Sequence, residues 1–463
     1  MRIESRHTLA ATAAEVRVWM ERPGALVRLT PPGLGGPEDP RAGGTEAGRL
    51  VAVRLGPAVL PAPLRPRWLL RHAEDHRPGD EAAALRFVDQ QMKGPWRTWR
   101  HEHAVLEENG RAVMADRLEI EPPRALAPFA PRIERSVQEL LAFRARQLRE
   151  DLALHARWGE APRLRIAIAG ASGLIGTQLA ALLTTGGHTV LRMVRGRAAG
   201  PGEISWDPAA GRLDPADLEG VDAVVDLAGR SIATRWTATA RREIRDSRLA
   251  TTSLLARTLA GMREGPRVLV QASAIGIYGP RRPGELLVEG ASAGEGFLAG
   301  VVRDWEAATA PAREAGVRVA LLRTGLVLSD GGGSLLPQLP LFLAGTGGRL
   351  TAADAALSWI TLDDMARAYA HALLSPTADG PLNAVAPGTV TAGEFARTLG
   401  RVLHRPALVP VPAAGPALVL GRAGADELIR TDQRVSSARL EADGFVTAHP
   451  ELEGALRHLL QRT

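Results

Sequence analysis

Residues 164–197 read LRIAIAGASGLIGTQLAALLTTGGHTVLRMVRGR, and this stretch constrains the fold more than any other. A short apolar run, Leu164–Ala169, leads into glycines at 170, 173 and 176. An apolar-rich run, Leu174–Thr185, is stopped by Gly186 and Gly187, and a second short run follows, His188–Val194. Buried strand, tight turn, helix and second strand in that order spell a parallel βαβ unit. Each glycine has a mechanical task. Gly170 permits the turn, Gly173 lets backbone approach a pyrophosphate, and Gly176 lets helix and strand pack closely. The helix N-terminus then offers free N–H groups and the positive end of its dipole to the phosphates.

The end of the second strand discriminates between dinucleotides. A carboxylate there bonds the ribose 2′-hydroxyl of NAD, whereas arginine suits the 2′-phosphate of NADP. The chain has Met193-Val194-Arg195-Gly196-Arg197, with no acidic residue, so NADP(H) is expected and Arg195 is the candidate clamp.

The first 150 or so residues follow a different grammar. A strand (2–8) and a short helix (13–20) precede strand-like runs at 50–55, 68–76, 84–92, 96–106 and 112–120. A long helical pattern at 133–154 closes the segment, with Val137, Leu140, Leu141 and Leu148 at helical spacing. That order predicts an α+β unit whose sheet wraps a helix and leaves a cavity. After a linker at 155–162, strand and helix alternate. The expected organisation is 1–155, 164–395 and 396–463, with a doubly wound α/β sheet of Rossmann type at its centre.

Composition removes whole classes of chemistry. There is no cysteine, which excludes disulfides, thiolate catalysis and cysteine-held metals. Lys93 is the single lysine, so no Walker or Schiff-base lysine exists beyond it. The net charge of +6 is modest and arginines alternate with acids, so no nucleic-acid partner is expected. No apolar stretch approaches the roughly 18–20 residues of a membrane span, and a soluble, cytoplasmic protein is expected. His101 and His103 share a strand face with Trp99 and Val105. No third ligand is evident, so no metal is expected, and the pair is read as lining a pocket or a convex face.

Several further stretches carry a resemblance. VDAVVDLAG resembles the fourth-strand NxAG signature of short-chain dehydrogenase/reductases, with Asp226 where asparagine is usual. RWTATARREIRDSRLATTSLL, QASAIGIYG, RDWEAA, RVALLRTGLVL and LSWITLDDMARA are similar to the atypical group called epimerase family proteins. LGRVLHRPALVPVPA through EADGF resembles that family's small C-terminal module, of the DUF1731 type. The likeness covers about residues 164–455. FVDQQMKGPWRTWRHEHAV, in the first unit, resembles START-like (SRPBCC, polyketide cyclase-type) helix-grip domains, which implies a small, apolar ligand there.

Carried onto matching positions, the resemblance implies that Gly170, Ser172, Gly173, Leu174, Ile175 and Gly176 line the pyrophosphate. It implies Val194 and Arg195 at the adenosine ribose and its phosphate, Leu227 and Ala228 beneath the cofactor, and Val327 toward the nicotinamide. Glu243 and Arg248 match positions near the nucleotide, or form an ordinary charged helix surface.

Catalysis is less well provided for. Dehydrogenases of this kind use a tyrosine whose pKa is lowered by a lysine four residues on, plus a serine. Phe297 and Val301 stand where that pair would fall. Ser273 and Tyr278 are the candidate catalytic hydroxyls. Arg323 either stabilises an oxyanion or pairs with a carboxylate such as Glu306. An oxidoreductase or epimerase of altered mechanism is therefore expected, with a non-catalytic NADP(H)-binding sensor or scaffold as the alternative; either is compatible with a homo-oligomer.

Overall fold

Seven antiparallel strands account for the alternating runs near the N-terminus. They are β1 (Arg2–Thr8), β2 (Gly35–Pro37), β3 (Leu50–Leu55), β4 (Arg67–Ala73), β5 (Ala83–Lys93), β6 (Thr98–Glu108) and β7 (Arg111–Glu121). Their order across the sheet is β1-β7-β6-β5-β4-β3-β2. The computed structural model describes residues 1–73, 83–412 and 414–462, so the end of the run expected at 68–76 lies outside the described residues. Asn109 (φ 52°) and Gly110 (φ 73°) make the tight β6–β7 turn, and both positive φ values suit a hairpin with right-handed twist. That turn pairs Glu108 with Arg111 and, counting back, His103 with Asp116.

Helices α1 (Ala13–Glu21), α2 (Ala25–Arg28) and α3 (Ala130–Arg157) pack on the concave face of this sheet. A capping box opens α1: Thr12 Oγ1 accepts from the Glu15 N–H and Glu15 Oε2 accepts from the Thr12 N–H. Val137 and Leu141 of α3 bury against Ile3, Val53, Leu118 and Ile120, while Leu148 joins Val16 and Trp19. Because α3 runs to Arg157, the expected linker begins inside it. Between helix and sheet lies a cavity of about 620 Å³, walled by Val53, Trp68, Trp96, Trp99 and Leu140 and closed by Leu460, Gln461 and Arg462 from the far end of the chain.

The second unit contains β8 (Arg165–Ala169), α4 (Leu174–Thr185), β9 (Thr189–Arg195), β10 (Glu203–Asp207), β11 (Arg212–Leu213) and β12 (Ala223–Asp226). It continues through α5 (Ala238–Gly261), β13 (Val268–Ala274), β14 (Arg281–Leu287), α6 (Phe297–Ala307), α7 (Ala310–Glu314), β15 (Arg318–Thr324) and a last strand, Gly380–Ala384. The sheet order is β11-β10-β9-β8-β12-β13-β15, then Gly380–Ala384. All pairs are parallel except β10–β11. Ile166, Ile168 and Val225 face α4 and the helix Leu362–Leu374, whereas Ala167, Leu191 and Leu269 face α5 and α7. Helices on both faces make the sheet doubly wound, and its order reverses between β8 and β12.

The C-terminal residues form a helical cap. Its helix Ala392–Leu403, opened by a Thr391–Glu394 capping box, packs with Leu452–Leu459, so the boundary expected at 395–396 falls inside a helix. Among the described residues no helix is long and apolar enough to cross a membrane.

A buried ion network joins the three parts. Arg28, with no side-chain exposure, donates to both oxygens of Asp151 at 2.8 Å and to Gln178 Oε1 on α4 at 2.7 Å, and lies 3.0 Å from Asp363. Arg367 reaches Glu150 at 2.8 Å and Asp151 at 3.3 Å, and His449 of the C-terminal part lies 3.3 Å from Glu150. A second seam forms where Pro32 and Gly33 press on Asp330 and Gly331, with Gln461 donating to Asp330 Oδ2 at 3.2 Å. Burial pushes the Asp330 carboxyl up to about 7.

Removing one partner of a buried ion network strands the others, at a cost of about 3–5 kcal/mol. Arg28→Ala is therefore expected to lose that much stability in urea unfolding, whereas Arg17→Ala, at an exposed pair with Glu21, should change it by less than about 1 kcal/mol. Asp330 holds its proton in the folded chain at pH values where the unfolded chain has lost it. Its contribution is complete below the ordinary carboxyl range and is lost as pH rises through about 7. Asp330→Asn should thus melt at a higher temperature than the parent at pH about 8, the advantage shrinking toward pH about 5.

Candidate functional site

The glycine turn sits where β8 ends at the reversal of strand order. Gly170 adopts φ +80°, and a Cβ there would stand 2.8 Å from the Leu227 carbonyl. Leu227 N–H donates to the Ala169 carbonyl at 2.9 Å, so the ends of β8 and β12 lie edge to edge beneath the turn. At Gly176 a Cβ would meet the Gly170 carbonyl oxygen at 2.2 Å. Only glycine lets the first turn of α4 approach the strand end this closely.

Gly173 is the N-cap of α4 and supplies no side-chain cap, and Ser172 and Gly173 are exposed. The first-turn N–H groups, from Leu174 onward, have no partner within the helix. A Cβ at Gly173 would meet only the Gly170 carbonyl oxygen, so no side chain covers the turn there, an arrangement that fits the diphosphate of a dinucleotide. Val194 is half-buried at the end of β9 and Arg195 is exposed beside it. The Arg195 side chain makes no ion pair or hydrogen bond with any described residue, its backbone being paired with Trp206 of β10. Leu227 and Ala228 form the floor next to Gly170, and Val327 lies half-buried on the strand Leu326–Ser329 and packs on the same core as Leu227.

Asp226 closes β12. It accepts from the Ala228 N–H at 3.0 Å, Thr252 Oγ1 at 3.0 Å and Gln271 Nε2 at 3.2 Å, and burial pushes its carboxyl pKa up. The carboxylate thus holds the floor loop in place of an asparagine. Arg248 donates to the Arg230 and Ile244 carbonyls, both at 3.0 Å, over the Trp305 ring. Burial lowers its pKa to about 10 against the opposing pull of Asp226. Glu243 instead pairs at the surface with Arg230 at 2.7 Å. The two residues therefore brace the loop after β12 from opposite sides.

The candidate hydroxyls do not face the crevice. Ser273 and Arg323 are direct partners across β13 and β15. Ser273 Oγ donates to Glu306 Oε1 at 2.5 Å, and Arg323 grips both oxygens of Glu306 at 2.9 Å. Tyr278, fully buried, donates to Asn383 Oδ1 at 2.8 Å and accepts from Arg323 Nη1 at 3.0 Å, and burial raises its pKa. Arg323 is thus a carboxylate partner and not a free oxyanion donor. Phe297 and Val301 lie on α6, with Phe297 against Trp236 and its N–H bonded to Glu427 of the C-terminal part at 2.9 Å. The pairing of Arg323 with Glu306 is one of the two roles expected from the sequence, whereas Asn383 and Glu427 carry no sequence signal, because long-range packing brings them in.

The parallel α/β sheet with this turn at its switch point defines a dinucleotide-binding fold of Rossmann type. The NAD dependent epimerase/dehydratase family profile matches residues 166–385, and a domain of unknown function, DUF1731, matches residues 411–459. An epimerase family protein of Mycobacterium tuberculosis is 42% identical over 298 residues, covering 64% of this chain and 98% of the relative. The human epimerase family protein SDR39U1 is 35% identical over 300 residues, 64% of this chain and 100% of its own. Its crystal structure with NADPH covers 65% of this chain and 100% of that one, at a TM-score of 0.59 and 34% identity. A nucleoside-diphosphate sugar epimerase structure from Corynebacterium glutamicum covers 99% of this chain and 90% of that one, at TM-score 0.79 and 31% identity. The chain belongs to the epimerase family. The Corynebacterium likeness extends over the N-terminal unit as well.

The turn geometry separates two glycines. Gly176→Ala drives a methyl into the Gly170 carbonyl and should lower stability by about 3 kcal/mol. Gly173→Ala meets its nearest atom at 3.3 Å and should stay within about 1 kcal/mol of the parent in the same denaturant titration.

Proposed function

We propose that the chain binds NADP(H) along the β8–α4 turn, with the diphosphate on the first N–H groups of α4 and the 2′-phosphate against Arg195. The open glycine cradle next to an unpaired exposed arginine carries this reading, and the human relative solved with NADPH supports it. When bound, the dinucleotide supplies or takes up a hydride. We further propose that the N-terminal unit is a START-like helix-grip domain holding a small, apolar molecule in its cavity, and that the protein works in the cytoplasm.

Two readings of the chemistry follow. In the first, the protein is an oxidoreductase or epimerase acting on that small molecule, with Ser273 and Tyr278 supplying hydroxyls. In the second, it is an NADP(H)-binding sensor or scaffold without turnover. One observation favours the second: both hydroxyls are spent on Glu306 and Asn383, and phenylalanine and valine occupy the Tyr/Lys positions. The seam from Pro32 through Gly331 and Gly332 to Leu174 gives such a sensor a physical link between cavity wall and phosphate helix.

Fluorescence titration should show NADPH binding more tightly than NADH, and Arg195→Ala should abolish most of the difference, about 1–3 kcal/mol. Equal affinities in the parent would remove the clamp. Incubation of the protein with NADPH and a panel of apolar ketones and aldehydes should leave NADPH unconsumed under the sensor reading, and sustained oxidation would establish the enzyme.

A further inference from the structure

Four adjacent strands of the N-terminal sheet place five ionisable side chains together on its concave face. They are His72 on β4, Asp89 on β5, His101 and His103 on β6, and Asp116 on β7. His72, Asp89, His101 and His103 line the 620 Å³ cavity, whose other walls are largely apolar. His101, His103 and Asp116 are buried, and among the described residues the two carboxylates pair only with imidazoles. Burying the Asp116 carboxylate and half-burying that of Asp89 costs far more than the Val or Leu that would fill the same positions in a ligand pocket. A purely apolar cavity has no need of them.

We propose that His101, His103 and Asp116 form a site for a divalent cation of the zinc class, open to the cavity. Asp116 Oδ1 lies 2.8 Å from His101 Nε2 and 2.9 Å from His103 Nδ1, and one donor atom from each residue falls within 4.8 Å of the others. Tetrahedral bonds of about 2.0–2.1 Å require donors roughly 3.3 Å apart, so an ion enters with an outward shift of a few tenths of an ångström. Two imidazoles and one carboxylate select a borderline transition cation over calcium or magnesium.

The outer groups agree with this assignment. His103 Nε2, the nitrogen not used for the ion, lies 3.2 Å from Asp89 Oδ2, and Asp89 Oδ1 lies 3.2 Å from His72 Nε2. A carboxylate behind a ligating histidine fixes its tautomer and raises its basicity. Three protein ligands leave a further position toward the cavity, where water or an oxygen atom of the cavity's occupant completes the shell. The other cluster of donors, Glu150, His449 and His458, is a different case, because the Arg367 guanidinium already sits 2.8 Å from Glu150 and supplies the positive charge.

The proposal does not depend on dinucleotide binding, and its test uses the tag-free full chain after chelator treatment and dialysis. Co²⁺ titration should give visible ligand-field bands that saturate at one equivalent and are displaced by Zn²⁺. Asp116→Asn, close in shape to the parent, and His101→Ala should each weaken Co²⁺ binding by at least about 100-fold, and Asp89→Asn by about 10–100-fold. His449→Ala should leave it unchanged, with circular dichroism confirming that each variant is folded. Absence of saturable bands in the parent, bands that survive both Asp116→Asn and His101→Ala, or bands lost in His449→Ala would each overturn the assignment.

Discussion

Gly176 cannot carry a side chain, because a Cβ there would stand 2.2 Å from the Gly170 carbonyl oxygen, and the arrangement of the crevice depends on that contact. It draws the start of α4 down onto the end of β8. The first turn of α4 then lies at the switch point, where the connections leaving the paired strands β8 and β12 pass to opposite faces of the sheet. Gly170 and Leu227 make the matching approach on the other side, so the floor of the crevice is backbone and its electrostatics come from peptide dipoles. A lysine-poor chain still has a positive field here, since the N-terminus of α4 supplies one without any side-chain charge.

The N-terminal unit is bound to this sheet by charge as much as by apolar packing. Arg28 enters α4 and α3 together through a forked grip on Asp151 and a bond to Gln178, a geometry that a lysine ammonium could not reproduce. The two ends of the chain meet at the same place: Pro32 and Gly33 touch Asp330 and Gly331, and Gln461 bonds Asp330 while lining the cavity. Gly332, one residue on, lies against the Leu174 side chain at the phosphate turn. A few residues therefore separate the cavity wall at Pro31 from Leu174 at the start of α4.

What could be read in advance follows from the range of the interactions. The β8–α4–β9 unit was legible because its three glycines and its apolar runs are local, and the helix Leu174–Thr185 ends where Gly186 begins. Six of the seven strands of the N-terminal sheet were legible for the same reason, whereas β2, three residues long in a Pro/Gly-rich stretch, carries no alternation of its own. The face-sharing of His101 and His103 was visible, but Asp116 was overlooked as their third member. The Asn109-Gly110 turn contained that information, since a two-residue hairpin fixes the pairing and places residue 116 opposite 103. No local pattern revealed that Tyr278 would be spent on Asn383, 105 positions away, or that residues 460–462 would close a cavity built by the first 150. Those contacts arise when three separately legible parts dock.

The most direct measurement is a crystal structure of the full chain grown with NADPH. The diphosphate should lie on the N–H groups of Leu174 and Ile175, with the adenosine 2′-phosphate at Arg195 and the ribose against Val194. A crevice that stays empty at saturating NADPH, or a nucleotide seated elsewhere with residues 170–176 untouched, would contradict the dinucleotide assignment on which the functional reading stands.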